Sequence, residues 1–99
     1  NPDGRRILVV GTLRDPAGMV AALRADEFDV VHACTAPSPR GVSAADVAQA
    51  ARQLGCDEVY AHDTVEAAVQ AAHRHADADD AILVAGSIYV AGAARTALR

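Results

Sequence analysis

Two turns in this chain carry the side chains best suited to holding a small charged ligand. In Gly11-Thr12-Leu13-Arg14-Asp15 a cation and a carboxylate sit beside the expected start of a helix. An arginine there can grip a carboxylate or phosphate through two parallel hydrogen bonds, and Asp15 can accept from an amine or a ribose hydroxyl. The plainer reading of the same residues is Asp15 as a helix cap and Arg14 as a solvated side chain. In Gly86-Ser87 the glycine permits a sharp turn, and the serine can cap the next helix while its hydroxyl and the first free N–H groups face a carboxylate or phosphate. Arg40, between Pro39 and Gly41, is a third candidate, because a stiff loop loses less entropy on binding an anion; a solvated loop arginine is the alternative.

Other reactive residue types point to less. His73 and His75 are spaced i,i+2, on nearly opposite sides of a helix, whereas two metal ligands on one helix face need i,i+4. His32 and His62 fall near the ends of two expected strands. His62 beside Asp63 can be read as an oriented base, but Asp63 with Glu66 reads more simply as a capping box. Cys34 and Cys56 lack the close spacing of a zinc or redox motif and read as buried free thiols. All nine basic residues are arginine. The missing lysine excludes a G-x-x-x-x-G-K phosphate loop, Schiff-base chemistry and a carbamylated lysine. No metal site is expected, and no glycine set matches G-x-G-x-x-G.

The elements that would hold these turns are short apolar runs alternating with helical spacings. Ile7-Leu8-Val9-Val10 is a first buried strand ending at Gly11-Thr12, and Asp15-Pro16 opens a helix with Met19, Val20 and Leu23 on one face. Phe28 to Ala33 is the second strand. Thr35-Ala36-Pro37-Ser38-Pro39-Arg40-Gly41 is a loop, since two prolines remove donors and bias their predecessors to extended geometry. Ser43 with Asp46 caps a helix carrying Val47, Ala50, Ala51 and Leu54 to a stop at Gly55. Glu58 to Ala61 is a third strand, and a third helix carries Val65, Ala68, Val69, Ala72 and Ala76. The fourth strand is Ala81 to Ala85, and a last helix runs from about Ile88 to Leu98.

Strand–helix repeated four times, with connections too long for hairpins, gives a three-layer α/β Rossmann-like domain: a mainly parallel sheet of about four strands with helices on both faces. Right-handed crossovers favour the order 3-2-1-4. The switch point then lies between strands one and four, and the turns after Gly11 and Gly86 face one crevice.

With 99 residues the chain is expected to form one domain, spanning 1–99. A net charge of −4 favours neither nucleic acid nor an anionic membrane as partner. No run approaches the roughly 20 apolar residues that span a bilayer, so a cytoplasmic location is the default expectation.

Three blocks then converge: Ile7 to Gly18 (ILVVGTLRDPAG), Ser38 to Ala44 (SPRGVSA) and Gly86 to Gly92 (GSIYVAG). In this order and spacing the chain resembles the C-terminal domain of bacterial folylpolyglutamate synthase and its bifunctional dihydrofolate synthase form, in the Mur ligase superfamily. The last block is similar to the closing Gly-Ser-Leu-Tyr-Leu-Val-Gly of that family. The resemblance implies an ATP-dependent ligase that phosphorylates the terminal carboxylate of a folate or pteroate, after which the amine of glutamate attacks the acyl phosphate. It implies an N-terminal ATPase domain of the same ligase as partner, holding ATP and Mg2+, so that this domain is inactive alone. Ser87 corresponds to the serine of the closing motif and is implied to bind the glutamate carboxylate. Where the family commonly has Asp-Lys-Asp, this chain reads Arg14-Asp15-Pro16; only Asp15 carries over, with Arg14 as substitute cation. The family's first strand and helix, with Asp-Gly-Ala-His-Asn-Pro, are expected to be lacking. The alternative is a non-enzymatic Rossmann-like module binding a nucleotide or a partner protein.

Overall fold

The computed structural model describes residues 4–86, so Ser87 and the last expected helix lie outside the described residues. In chain order the elements are β1 (Arg6–Gly11), α1 (Pro16–Ala22), a 3-10 turn (Ala25–Glu27), β2 (Val30–Cys34), α2 (Ala44–Leu54), β3 (Val59–His62), α3 (Val65–His75) and β4 (Ala81–Gly86). The sheet is parallel throughout with order β3-β2-β1-β4, as the four strand–helix units require. The switch point between β1 and β4 is therefore present.

Side chains of β1 and β2 alternate between two cores, which is why these strands are apolar at nearly every position. Ile7, Val9, Val30 and Cys34 pack under α3 with Val65, Ala68, Val69 and Ala72. Leu8, Val10, Val31 and Ala33 pack on the other face with Val20 of α1 and Val47, Ala48 and Ala51 of α2. Helices thus cover both faces, and the alanines facing the sheet bring them close to it.

Three local expectations need correction. β2 starts at Val30 rather than Phe28, because Phe28 and Asp29 are recruited by Arg6. The Arg6 guanidinium lies 4.6 Å from the Phe28 ring centroid, and its backbone N–H donates to the Asp29 carboxylate at 2.7 Å. β3 is shifted by one residue, to Val59–His62. The N-cap of α3 is Thr64, not Asp63: Thr64 has extended φ/ψ and its hydroxyl accepts from the Ala67 N–H at 3.1 Å. With His62 closing β3, Asp63 is used up as the connector.

The amino ends of β1 and β4 are locked together. The Asp80 carboxylate accepts from the Arg5 N–H at 2.7 Å and the Asp77 N–H at 2.9 Å, and Ala81 N–H donates to the Arg5 carbonyl at 2.9 Å. Hydrogen bonds from the Arg5 and Asp77 backbones hold the Asp80 carboxyl below its ordinary value. This lock sets the register that ends with Gly11 opposite Gly86.

Candidate functional site

The turn after β1 is built to present Arg14 and Asp15. Thr12 is buried; its hydroxyl donates to the Arg14 carbonyl at 2.7 Å, and its oxygen accepts from the Arg14 N–H at 3.3 Å. Asp15 is in the left-handed region, φ 47° and ψ 65°, immediately before Pro16. That conformation is unfavourable for a non-glycine residue and more so before proline. It is held by the cap: Asp15 Oδ1 accepts from the Gly18 N–H at 3.1 Å, and the Asp15 carbonyl accepts from the Met19 N–H at 3.0 Å. Gly18 leaves room for this, since a Cβ there would come within 2.8 Å of the Asp15 Cγ. The helix-cap reading of Asp15 therefore holds, and among the described residues Oδ2 makes no hydrogen bond.

Thr12, Leu13, Arg14, Asp15, Gly18, Met19 and Ala22 line an open depression of about 370 Å³. Its floor is apolar and its rim carries one cation and one carboxylate. Arg40 does not line it but stands on the neighbouring loop after β2, which is tied to this turn by the Val42 N–H donating to the Thr12 carbonyl at 3.0 Å. Arg14 and Arg40 are both exposed, and neither guanidinium has a carboxylate partner among the described residues. The structure thus groups Arg14 with Asp15 and places Arg40 on an adjoining loop. Ser87 follows Gly86 directly, outside the described residues.

A second cluster was not singled out from the sequence. His32 is completely buried in β2, and its Nδ1 lies 2.9 Å from Nε2 of His62 in β3. The His32 ring stacks with Tyr60 and His62 at centroid distances of 5.3 and 5.1 Å, and His75 tilts against it at 5.8 Å. Burial, with His62 and His75 nearby, pushes the His32 pKa down to about 4. Rings that face one another do not converge their lone pairs, and among the described residues no three His, Cys, Asp or Glu side chains are placed to hold a metal ion. The signal for this cluster was the histidine inside the otherwise apolar run of β2, but pairing it with residues 62 and 75 needs the sheet register.

Both cysteines are free and buried, as expected. Burial pushes the Cys34 thiol up to about 12, and its Sγ donates to the Val10 carbonyl. No helix among the described residues is long and apolar enough to cross a membrane.

Comparison with known proteins settles the family. The family model described as Mur ligase, glutamate ligase domain, matches residues 1–88. The chain belongs to this family. Among solved structures, the Mur ligase domain here is similar to the bifunctional folylpolyglutamate synthase/dihydrofolate synthase of Yersinia pestis, complexed with AMPPNP and Mn ion. The two are 30% identical over 96% of this chain and 22% of that one, with a TM-score of 0.80. It is similar to E. coli FolC in complex with DHPP and ADP at 26% identity, over 97% of this chain and 22% of that one, with a TM-score of 0.82. A Mycobacterium tuberculosis folylpolyglutamate synthase complexed with ADP and AMPPCP matches at 31% identity over 93% and 23%, with a TM-score of 0.71. The chain therefore spans under a quarter of the length of these enzymes. No curated protein sequence matches it. The four-stranded parallel sheet of order 3-2-1-4 is the fold shared with these Mur ligase domains.

Proposed function

We propose that this chain is the C-terminal domain of a ligase that adds glutamate to a folate or pteroate, and that the turns after β1 and β4 form its share of the glutamate and nucleotide site. The observation that carries this reading is the parallel pairing of β1 with β4 to their last residues, Gly11 opposite Gly86. Turns leaving adjacent parallel strands at a switch point share one crevice, the usual ligand position in open α/β sheets. On this reading Ser87, next in sequence after Gly86, acts together with Arg14 and Asp15.

In this reading the Arg14 guanidinium pairs with a carboxylate of glutamate or a phosphate of the nucleotide, and Ser87 hydrogen-bonds the glutamate carboxylate. Oδ2 of Asp15 accepts from the glutamate ammonium or a ribose hydroxyl, while Oδ1 keeps its bond to Gly18. Arg40 adds positive charge from the adjoining loop. The γ-phosphoryl group of ATP passes to the acceptor carboxylate, giving ADP and an acyl phosphate. The free amine of glutamate then attacks the acyl carbon, and inorganic phosphate leaves as the amide forms. This chain contains no lysine for a G-x-x-x-x-G-K phosphate loop, so in this reading the holding of ATP and Mg2+ lies elsewhere in the ligase. That task falls to the N-terminal ATPase domain of the same ligase, and the isolated domain is inactive.

A coupled assay for ADP release tests this. The chain alone should show no ATP hydrolysis dependent on glutamate and folate, and the ligase containing it should show both dependences. Loss of the glutamate dependence in the whole ligase would overturn the reading, as would turnover by the chain alone.

A further inference from the structure

The histidine cluster lies on the α3 side of the β2–β3 seam. Tyr60 stands opposite His32 and His62 opposite Cys34 in the strand register, and His75 closes α3. His32 Nε2 is buried and has no hydrogen-bond partner. One proton is shared between His32 Nδ1 and His62 Nε2. A second proton on His32 would put a charge, and an N–H without an acceptor, at Nε2 inside the core.

Among the described residues, none of the elements packed around His32 supplies a counter-ion in contact with it. On β2 the same face carries Val30 and Cys34, and on β1 the register partner is Val9. On β3 the Tyr60 hydroxyl donates to the Glu58 carboxylate at 2.9 Å, so the one acid that favours a charged His32 is already engaged. His62 and His75 oppose that charge, and Arg74 with His75 opposes charge on His62. Glu66 acts on Cys34 and Arg5 on Tyr60. β3 is a four-residue edge strand, paired among the described strands with β2 alone and half-exposed along its length, and Arg52 of α2 donates to its Val59 carbonyl at 3.2 Å.

We propose that this ring cluster is an acid-released latch: protonating His32 separates β3 and the last turn of α3 from β2 while the β2–β1–β4 sheet remains folded. His32 ionises near 4 while latched and near its ordinary 6.5 once released. The latch is therefore at full strength above about pH 6.5 and is lost progressively as the pH falls toward 4. For one group with those two values, the opening equilibrium rises about 25-fold between pH 7.5 and 5.0.

Amide hydrogen exchange of the chain, expressed as protection factors at pH 7.5 and 5.0 with 0 to 1 M urea, tests the proposal. The Val31 amide, which donates to the Glu58 carbonyl across the seam, and the amides of β3 should lose about 25-fold in protection. Their exchange should respond weakly to urea, whereas β1 amides show the steep dependence of global unfolding. His32→Leu should remove most of the pH dependence at the seam, leaving the smaller share of His62. If that variant does not fold, the His32 ring resonance of the wild-type chain decides: titration well below pH 6 is expected. Titration near 6.5 in the folded chain overturns the latch, as does a seam whose protection and urea slope match those of β1.

Discussion

Gly41→Ala tests how the loop carrying Arg40 is fastened to the turn carrying Arg14. A Cβ at residue 41 would overlap the Ala36 carbonyl oxygen and come within 3.1 Å of the Ser38 oxygen and 3.2 Å of the Ala36 carbonyl carbon. All three are backbone atoms, so the loop must move rather than a side chain. Moving it strains the Gly41 N–H bond to the Ser38 carbonyl, 2.9 Å, and the neighbouring Val42 N–H bond to the Thr12 carbonyl, 3.0 Å. Two such bonds are worth about 1 kcal/mol each and the residual crowding about 1 kcal/mol more. The loss of glycine's unfolded-state freedom returns about 0.5–1 kcal/mol. The net expectation is a loss of about 2 kcal/mol, or a fall in Tm of roughly 8–16 °C for a domain of this size. Gly55→Ala is the control: nothing lies within 4 Å of its Cβ position, but φ is 118°, so only backbone strain, about 1 kcal/mol, is expected. Thermal unfolding by circular dichroism measures both. If Gly41→Ala melts within 2 °C of wild type, the loop is not fastened as described, and Arg40 is not held beside Arg14 by it.

Two further outcomes follow from the same geometry. Thr64→Ala should destabilise the chain by about 1 kcal/mol through the lost cap, while Asp63→Ala stays within about 0.5 kcal/mol; urea unfolding distinguishes them, and the reverse order would restore Asp63 as the cap. Cys34, buried and with its thiol near 12, should resist a thiol reagent at pH 8 in the native chain and react promptly in denaturant, read by mass spectrometry.

Much of the architecture was legible because its signals are local. Four apolar runs, each followed by a helical spacing and a crossover-length connection, leave few arrangements, and the observed order is among them. The cap of α3 was not legible: Asp63 and Thr64 are both good caps, and Asp63 with Glu66 has capping-box spacing. The choice depends on β3 ending at His62, which is set by pairing with Cys34, far away in the sequence. The start of β2 was missed because Arg6, on another strand, engages Phe28 and Asp29. The arginine and aspartate of the candidate site were visible as residue types, but the left-handed backbone at Asp15 was not, since a cap before proline is normally read as extended. The histidine cluster escaped for the same reason as the cap: its members meet only once strand register brings positions 32, 60 and 62 together with the end of α3.

The most direct test of the central claim is an amide chemical-shift titration of the chain with glutamate, with ATP and AMP run separately. The account expects glutamate to shift the amides of Thr12 to Asp15 together with that of Ser87, and Arg14→Ala to abolish those shifts. Shifts with a nucleotide alone, or glutamate shifts that spare both turns, would contradict it.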